Sequence, residues 1–182
     1  GKCVQEDDMT GILVKLREAD IWVWATPLYF DGVSGPLKNL IDRLTPLLRL
    51  HAEVRGGRSR HVVEEQDRRG SVVLVSNCGL WEMENFNTVV AYIDAACQHV
   101  EREFAGALLR PHGQTLRDRL KQGEPVGDVL DAAREAGREL VRDGKMSAES
   151  LATVGRKLVT RDDYITNMNQ NAGKLLGAGQ QK

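Results

Sequence analysis

Residues 21–43 read IWVWATPLYFDGVSGPLKNLIDR and change character twice. The run from Ile21 to Ala25 is apolar at every position, which is typical of a strand covered by helices on both faces of a parallel sheet. After a loop with two aromatic residues, apolar residues recur every three or four positions from Leu37 to Leu48. Pro36 suits the first turn of a helix, where its missing N–H costs nothing. The stretch therefore predicts a strand, a loop and a helix.

The same order recurs further along the chain. Residues 71–76 form a second apolar run, and a loop over 77–85 leads into a helical pattern from Phe86 to Phe104. A third short strand is predicted over 105–109. Strands separated by helices need crossover connections, so the sheet is predicted to be parallel and the fold α/β.

Three further helices follow from apolar spacing. One begins after Asp7 or Asp8, either of which suits an N-cap, and includes Met9 and Leu13. Another covers 126–141 and stops at Gly144. The last covers 151–158, with a cap near Ser147. These patterns extend the alternation of strands and helices along the chain.

Two segments lack a clear period. Residues 51–70 mix arginines with acidic residues, and we expect a solvated, mobile loop there. Residues 167–182 are expected to be disordered. We accordingly place one domain over 1–160 and a C-terminal tail over 161–182.

The overall charge excludes some partners. Lys and Arg number 25 against 26 Asp and Glu, a net charge of -1, so no global field attracts nucleic acid or an anionic membrane. No apolar stretch approaches the roughly 18 residues that span a bilayer. The three cysteines, Cys3, Cys78 and Cys97, are odd in number and scattered, which fits a reducing compartment. We therefore expect a cytoplasmic protein.

Two loops carry the candidate ligand site. In parallel sheets, ligands bind outside the carboxyl ends of the strands, and the loops over 27–35 and 77–85 both follow such ends. Tyr29, Phe30 and Trp81 supply flat surfaces, and the glycines of these loops let backbone groups approach a ligand closely. A flat, polar-edged ring system is the ligand that this combination favours.

Three stretches carry a family resemblance. DDMTGILVKLREADIWVWATPLYFDGVSGPLKNLIDRL (7–44) resembles the central signature of the flavodoxin-like NAD(P)H-dependent FMN reductases. VLVSNCGLWEMENFNTVV (73–90) is similar to the next strand and glycine loop of that family, and FAGALLRP (104–111) to its last strand. The resemblance covers roughly residues 1–111. It implies a flavodoxin-like three-layer sandwich with a parallel sheet.

The resemblance also implies a function. In the family, the loops matching the two described above border the isoalloxazine ring of FMN, which takes electrons from NAD(P)H and passes them to a quinone or another small acceptor. The flavin does the chemistry, so no catalytic side chain or metal ligand of this chain is predicted. A homo-oligomer is expected. The cofactor-binding residues that the resemblance implies are Pro27, Leu28, Tyr29, Phe30, Gly32, Asn77, Cys78, Gly79 and Trp81.

The chain also departs from the family pattern. The two N-terminal strands and the serine-rich turn that holds the FMN phosphate do not precede Gly1. We therefore expect these strands to be missing from this chain. The segment around Cys3 is similar to the end of the segment that carries a cluster of cysteines in iron-sulfur relatives. A [4Fe–4S] cluster generally needs four thiolates, so such a cluster would require cysteines absent from this chain.

Other interpretations remain open. The absent phosphate turn favours a cofactor-free, flavodoxin-like interaction module. Cys78 follows a strand and precedes Gly79, as a nucleophile does in a hydrolase, although Ser76 stands where that turn requires Gly. The arginines between Arg55 and Arg69 have two possible roles: they bind the phosphates of a nicotinamide nucleotide, or they bind no ligand. Lys38 and Asp42 are expected to pair along a helix.

Overall fold

The computed structural model of the protein describes residues 4–64 and 69–179, and the side chains through residue 173. The helices are α1 (Met9–Glu18), α2 (Gly35–Asp42), α3 (Asn87–His99), α4 (Gly113–Lys121), α5 (Gly127–Asp143), α6 (Ala148–Gly155) and α7 (Arg161–Gly179). The strands are β1 (Ile21–Pro27), β2 (Leu48–Arg55), β3 (Arg58–Val63), β4 (Ser71–Asn77) and β5 (Glu103–Arg110). The predicted mixture of helices and strands is confirmed.

The main sheet has three parallel strands in the order β1-β4-β5. β1 and β4 pair in register from Ile21 opposite Ser71 to Pro27 opposite Asn77. β4 and β5 pair up to Asn77 opposite Arg110, with a register shift after Val72. The carboxyl ends of all three strands therefore meet at one edge, and the predicted parallel α/β fold is confirmed.

The largest core lies between one face of this sheet and helices α1, α2 and α3. Trp22 and Trp24 of β1 are buried there beside Leu74 of β4 and Ile93 of α3. The Trp22 indole donates to the Leu16 carbonyl at 2.8 Å. Burying an indole is favourable only when its N–H finds such a partner.

The opposite face is covered unevenly. At β5, helix α6 packs against the sheet, so helices lie on both faces and the three-layer arrangement is present. At β1, however, Val23 is 57% exposed and Ala25 is also exposed. The prediction that helices cover both faces of this strand is wrong within the described residues. Apolar residues alone do not determine which face of a strand is covered by a helix.

The segment predicted to be a mobile loop is largely a β-hairpin. β2 and β3 pair antiparallel, with Arg55 opposite Arg58 around a Gly56-Gly57 turn. Both glycines have positive φ (59° and 73°), the conformation of a tight hairpin turn. The loop prediction is therefore wrong over 51–63. Residues 65–68 of that predicted loop lie outside the described residues.

Other boundaries differ from prediction, among them the end of the second helix and the structure of the tail. The second helix ends at Asp42, and a 3₁₀ turn over Thr45–Leu47 leads directly into β2. Pro46 in that turn lacks the N–H that a continued helix would need. The prediction of a disordered tail is wrong as far as Gly179, because helix α7 continues to that residue. Residues 180–182 lie outside the described residues.

Candidate ligand site

The two predicted ligand loops lie side by side at the carboxyl edge of the sheet. Pro27 and Asn77 are direct partners in the β1–β4 ladder, and the Leu28 N–H donates to the Asn77 carbonyl at 2.8 Å. Cys78 N–H donates to the Arg110 carbonyl at 3.1 Å, which extends the arrangement to β5. The structure thus brings together the two segments that the sequence assigned to one crevice.

The first loop is a tight turn with an uncovered aromatic surface. Tyr29 and Gly32 exchange both backbone hydrogen bonds, at 3.2 and 3.0 Å. Between them, Phe30 (φ 47°) and Asp31 (φ 58°) are both left-handed, a conformation that costs free energy for residues other than glycine. The Phe30 side chain is fully exposed and that of Tyr29 is 64% exposed. A strained turn that presents flat rings to solvent is typical of a ligand-binding element.

A buried hydroxyl fixes the base of this turn. Thr26 is buried, and its Oγ1 accepts the Ser34 N–H at 2.9 Å. The same hydroxyl donates to the Pro27 carbonyl at 2.9 Å. Ser34 occupies the N-cap position of α2 but makes no side-chain capping bond to that helix. Thr26 therefore ties the two ends of the turn together.

The second loop offers backbone and open space rather than a reactive thiol. Cys78 is buried, and its Sγ donates to the Leu80 carbonyl at 3.3 Å. Burial raises the pKa of this thiol, whereas a nucleophilic cysteine needs a lowered one. A Cβ added at Gly79 would meet no atom of the described chain within 4 Å. The geometry therefore disfavours the Cys78 nucleophile and leaves Gly79 accessible to a ligand.

Trp81 is held by the segment 157–164, here called the C-terminal strap. Its indole donates to the Val159 carbonyl at 3.0 Å. Lys157 Nζ lies 3.9 Å from the ring centroid and donates to the Trp81 carbonyl at 2.5 Å. The Tyr164 hydroxyl donates to the Gly79 carbonyl. These contacts join residues about 80 positions apart, so no local pattern reveals them.

The strap also neutralises one acidic residue of the loop. Arg161 pairs with Glu82 and lowers the pKa of that carboxyl. Arg161 thereby compensates the negative charge of Glu82 beside the second loop.

A buried arginine anchors to the sheet the end of α6, which leads directly into the strap. Arg110, the last residue of β5, donates to the carbonyls of Val154 at 2.6 Å and Arg156 at 2.9 Å. It also donates to Pro111 O at 2.8 Å. Burial lowers the pKa of its guanidinium to about 10. Sequence analysis missed this residue, although an arginine directly after an apolar strand is an unusual choice at a buried position.

His112 completes the anchor. It is fully buried, and its Nε2 accepts the Leu158 N–H at 3.1 Å and lies 2.8 Å from Arg110 Nη2. Since arginine only donates, Nε2 must be unprotonated. Burial, followed by the charge of Arg110, lowers the pKa of His112 to about 4. The structure identifies a packing and hydrogen-bonding role for this residue.

Other charged residues singled out in the sequence lie away from these loops. Lys38 and Asp42 form the expected i,i+4 pair, with Nζ 2.5 Å from Oδ1 on an exposed face. Arg43 pairs with Asp7 at 2.7 Å. The Asp7 carboxylate also accepts the Met9 N–H at the start of α1, which confirms its expected place at that helix end.

Of the two remaining cysteines, the structure describes one. Cys97 is buried in the core, and burial raises the pKa of its thiol to about 12. Cys3 lies outside the described residues, so its relation to an iron–sulfur cluster stays a prediction. Within 4–64 and 69–179, no group of three or more His, Cys, Asp or Glu side chains is arranged to hold a metal ion. Among the helices described, none has the length and apolar content needed to cross a bilayer.

Comparison with known proteins agrees with the family resemblance. Residues 1–64 match the family of NADPH-dependent FMN reductases. The predicted family resemblance is confirmed. The chain is 54% identical over 43 residues to an iron-sulfur flavoprotein of Archaeoglobus fulgidus, which is 24% of this chain and 21% of that protein. It is 51% identical over 47 residues to an iron-sulfur flavoprotein of Methanocaldococcus jannaschii, 26% of this chain and 24% of that protein.

The matches cover only part of this chain and of its relatives. The matched part of the chain spans less than a quarter of the length of the curated relatives. Among solved structures, an FMN-dependent NADH-azoreductase from Bacillus anthracis in complex with FMN is similar at 15% identity and a TM-score of 0.43. That overlap covers 58% of this chain and 50% of the azoreductase. A TM-score this low carries no argument about function.

Proposed function

We propose that the Tyr29–Gly32 turn and the Asn77–Trp81 loop bind the isoalloxazine ring of FMN. The protein would then act as an NAD(P)H-dependent flavin oxidoreductase that reduces a quinone or another small acceptor. The observation that carries the proposal is the fully exposed Phe30 ring on a strained turn, held by hydrogen bonds beside the Asn77 loop. The family match over residues 1–64, which include the turn, supports the same cofactor.

The residues present fit the flat part of FMN. Exposed aromatic rings in the first loop provide an apolar surface for one side of a planar ring. Open space above Gly79 in the second loop admits a ring edge. The contacts proposed for the two loops are therefore with the isoalloxazine ring of FMN.

Each element has a distinct task in the proposed mechanism. A bound FMN would supply the hydride and electron-transfer chemistry of the reaction. The Tyr29–Gly32 turn orients the ring and excludes water from one side of it. Thr26 keeps that turn rigid, and the C-terminal strap holds Trp81 in place beside the second loop. In this proposal the protein residues bind and orient the ring, and none of them is assigned a proton transfer.

The direct test is a titration of FMN into the protein expressed from its whole reading frame. Quenching of the flavin fluorescence measures the binding. We expect saturable binding, and flavin absorbance that bleaches when NADH or NADPH is added. Phe30→Ala should weaken binding about tenfold, because one stacking contact is worth roughly 1 kcal/mol or more. Gly79→Leu should weaken binding by filling the open space above that residue.

Gly137→Leu is the matched control for the second variant. Gly137 is exposed on α5, and a Cβ there also meets nothing within 4 Å. Its FMN affinity should equal that of the wild type. If a folded, full-length protein does not bind excess FMN, or if Phe30→Ala and Gly79→Leu bind as the wild type does, the proposed site is wrong.

A cofactor-free interaction module is the second candidate. The observation that favours it is the C-terminal strap, which occupies Trp81 with the Lys157 side chain and the Val159 carbonyl. In that case Phe30 would meet a protein partner rather than a flavin. Colourless, cooperatively folded protein in excess FMN would support this function, whereas yellow protein would exclude it.

A further inference from the structure

Four successive carbonyl groups of the second loop, those of residues 78–81, accept hydrogen bonds from the C-terminal half of the chain. The N–H groups of Gly113 and His112 donate to the first and third of them, at 2.9 and 2.7 Å. The strap supplies the donors for the other two, which are the Tyr164 hydroxyl and Lys157 Nζ. The carbonyl groups of this part of the loop are therefore engaged within the protein.

The N–H groups of the same loop are in the opposite situation. The backbone N–H groups of Gly79, Leu80 and Trp81 donate to no acceptor in the described part of the chain. Gly79 and Leu80 are also exposed. A backbone N–H without a partner in the folded protein binds water or a ligand. The loop thus offers donors while its carbonyl groups are engaged, which favours a ligand atom that carries negative charge.

The charges around the loop favour the same kind of ligand. Lys157 Nζ lies 3.9 Å from the centroid of the Trp81 ring, and the Arg161 guanidinium lies 5.8 Å from it. Glu82 compensates Arg161, but Lys157 has no carboxylate partner among the described residues. Burial raises the pKa of the Cys78 thiol, and the charge of Lys157 opposes that rise. The lysine charge therefore acts at the start of the loop.

We propose that Lys157 is a positioning residue that makes the second loop bind reduced FMN more tightly than oxidised FMN. This inference rests on the proposed function. The oxidised isoalloxazine ring is uncharged, whereas the ring that has gained two electrons and one proton carries a negative charge at slightly alkaline pH. Free N–H groups and an uncompensated cation stabilise that charge and interact less strongly with the uncharged ring. The strap thereby raises the reduction potential of the bound flavin.

Lys157 differs from the other strap residues in combining two kinds of contact with the loop. Its ammonium group donates to the Trp81 carbonyl at 2.5 Å and also lies over the indole ring, so it holds both the main chain and the side chain. Tyr164 holds the Gly79 carbonyl and, because a peptide group is planar, also fixes the Leu80 N–H. The Tyr164 hydroxyl carries no charge, however. Lys157 is therefore the residue that adds charge as well as position.

The first measurement tests the positioning and needs no flavin. Trp22 and Trp24 are buried in the core, so quenching of tryptophan fluorescence by acrylamide reports mainly on the half-buried Trp81. Lys157→Met keeps the length of the side chain but removes its charge and its bond to the Trp81 carbonyl. The quenching constant of this variant should rise about twofold, because the contact between the ammonium group and the indole is lost. Lys157→Arg should be quenched as the wild type is.

The second measurement compares the affinity of the protein expressed from its whole reading frame for oxidised FMN and for FMN reduced with dithionite, at slightly alkaline pH without oxygen. The wild type should bind the reduced form about tenfold more tightly. Lys157→Met should lose about fivefold of this preference, since one nearby cation is removed. Lys157→Arg should retain it. Lys121→Met is the matched control, because it removes one positive charge from the exposed end of α4, and it should keep the wild-type preference.

The outcomes separate this inference from the proposed function. A preference for reduced FMN that falls in Lys157→Met and is retained in Lys157→Arg would support it. If FMN binds but Lys157→Met keeps the wild-type preference, the inference is wrong while the proposed function stands. An equal loss of affinity for both forms of FMN would show that Lys157 only maintains the fold, and it would also overturn the inference. If neither form binds, both the proposed function and the inference are wrong, whatever the quenching shows.

Discussion

The buried His112 leads to a quantitative prediction about acid stability. In the folded protein, Nε2 accepts from the Leu158 N–H and from Arg110, so protonation would break both hydrogen bonds and place a second cation beside the guanidinium. The pKa of His112 is accordingly lowered from 6.5 to about 4. In the unfolded chain, the imidazole protonates at its ordinary pKa. Between these two values the unfolded state binds more protons.

The sign and size of the effect follow from this difference. Stability rises with pH wherever the unfolded state binds more protons, so the protein should lose stability as the pH falls from about 6.5 to about 4. Each pH unit of separation is worth about 1.4 kcal/mol, so His112 accounts for a loss of about 3 kcal/mol. Most of the loss should be complete before the pH reaches 4.

The measurement is the free energy of unfolding in urea at several pH values from 7 to 4, for the wild type and for His112→Gln. The glutamine Oε1 can accept the same bonds but does not titrate. Other groups contribute equally to both proteins, so the difference between the two curves isolates His112. We expect the stability of the variant to fall by about 3 kcal/mol less than that of the wild type.

His61→Gln removes an exposed histidine of β3 and serves as the control for the substitution itself. If the wild-type and His112→Gln curves run parallel between pH 7 and 4, the assignment of a buried, neutral His112 is refuted.

Two further predictions concern backbone conformation. Replacing Phe30-Asp31 by Asn-Gly suits the left-handed turn and should raise the free energy of unfolding by about 1 kcal/mol, while FMN binding weakens; urea unfolding and flavin titration check the two effects, and unchanged binding would contradict the proposed site. A Cβ at Gly70 would lie 2.1 Å from the Asp20 carbonyl oxygen, so Gly70→Ala should destabilise the protein by at least about 2 kcal/mol in thermal or urea unfolding. Gly11→Ala, where a Cβ meets nothing within 4 Å, should be neutral or stabilising, and an equal loss in both variants would show that the Gly70 contact is not the cause.

The parallel sheet and the placement of the ligand loops were predictable from the sequence. Ile21–Pro27 and Ser71–Asn77 are apolar runs whose ends are marked by polar or turn residues, and the helices between the strands require parallel crossovers. Because parallel strands end at the same edge, the two loops had to meet there. These conclusions need only local periodicity and the geometry of crossovers.

The hairpin was missed although its signal is present. LRLHAEVR alternates apolar and polar residues and is followed by Gly-Gly, which is typical of a strand and a tight turn. The density of arginines obscured it. The structure resolves this, because Arg55 and Arg60 are not simply solvated but bind Gln98 and Glu101 at the end of α3.

By itself, the sequence determined which segments form the parallel sheet, which loops reach its carboxyl edge, and which family the N-terminal part resembles. These features depend on residues close together in the chain. Only the tertiary structure decided that Val23 faces solvent, that Trp81 is held by Lys157 and Val159, and that Arg110 binds the end of α6. Each of these depends on which surfaces meet in space, and a buried contact between distant residues leaves no periodic pattern in the chain.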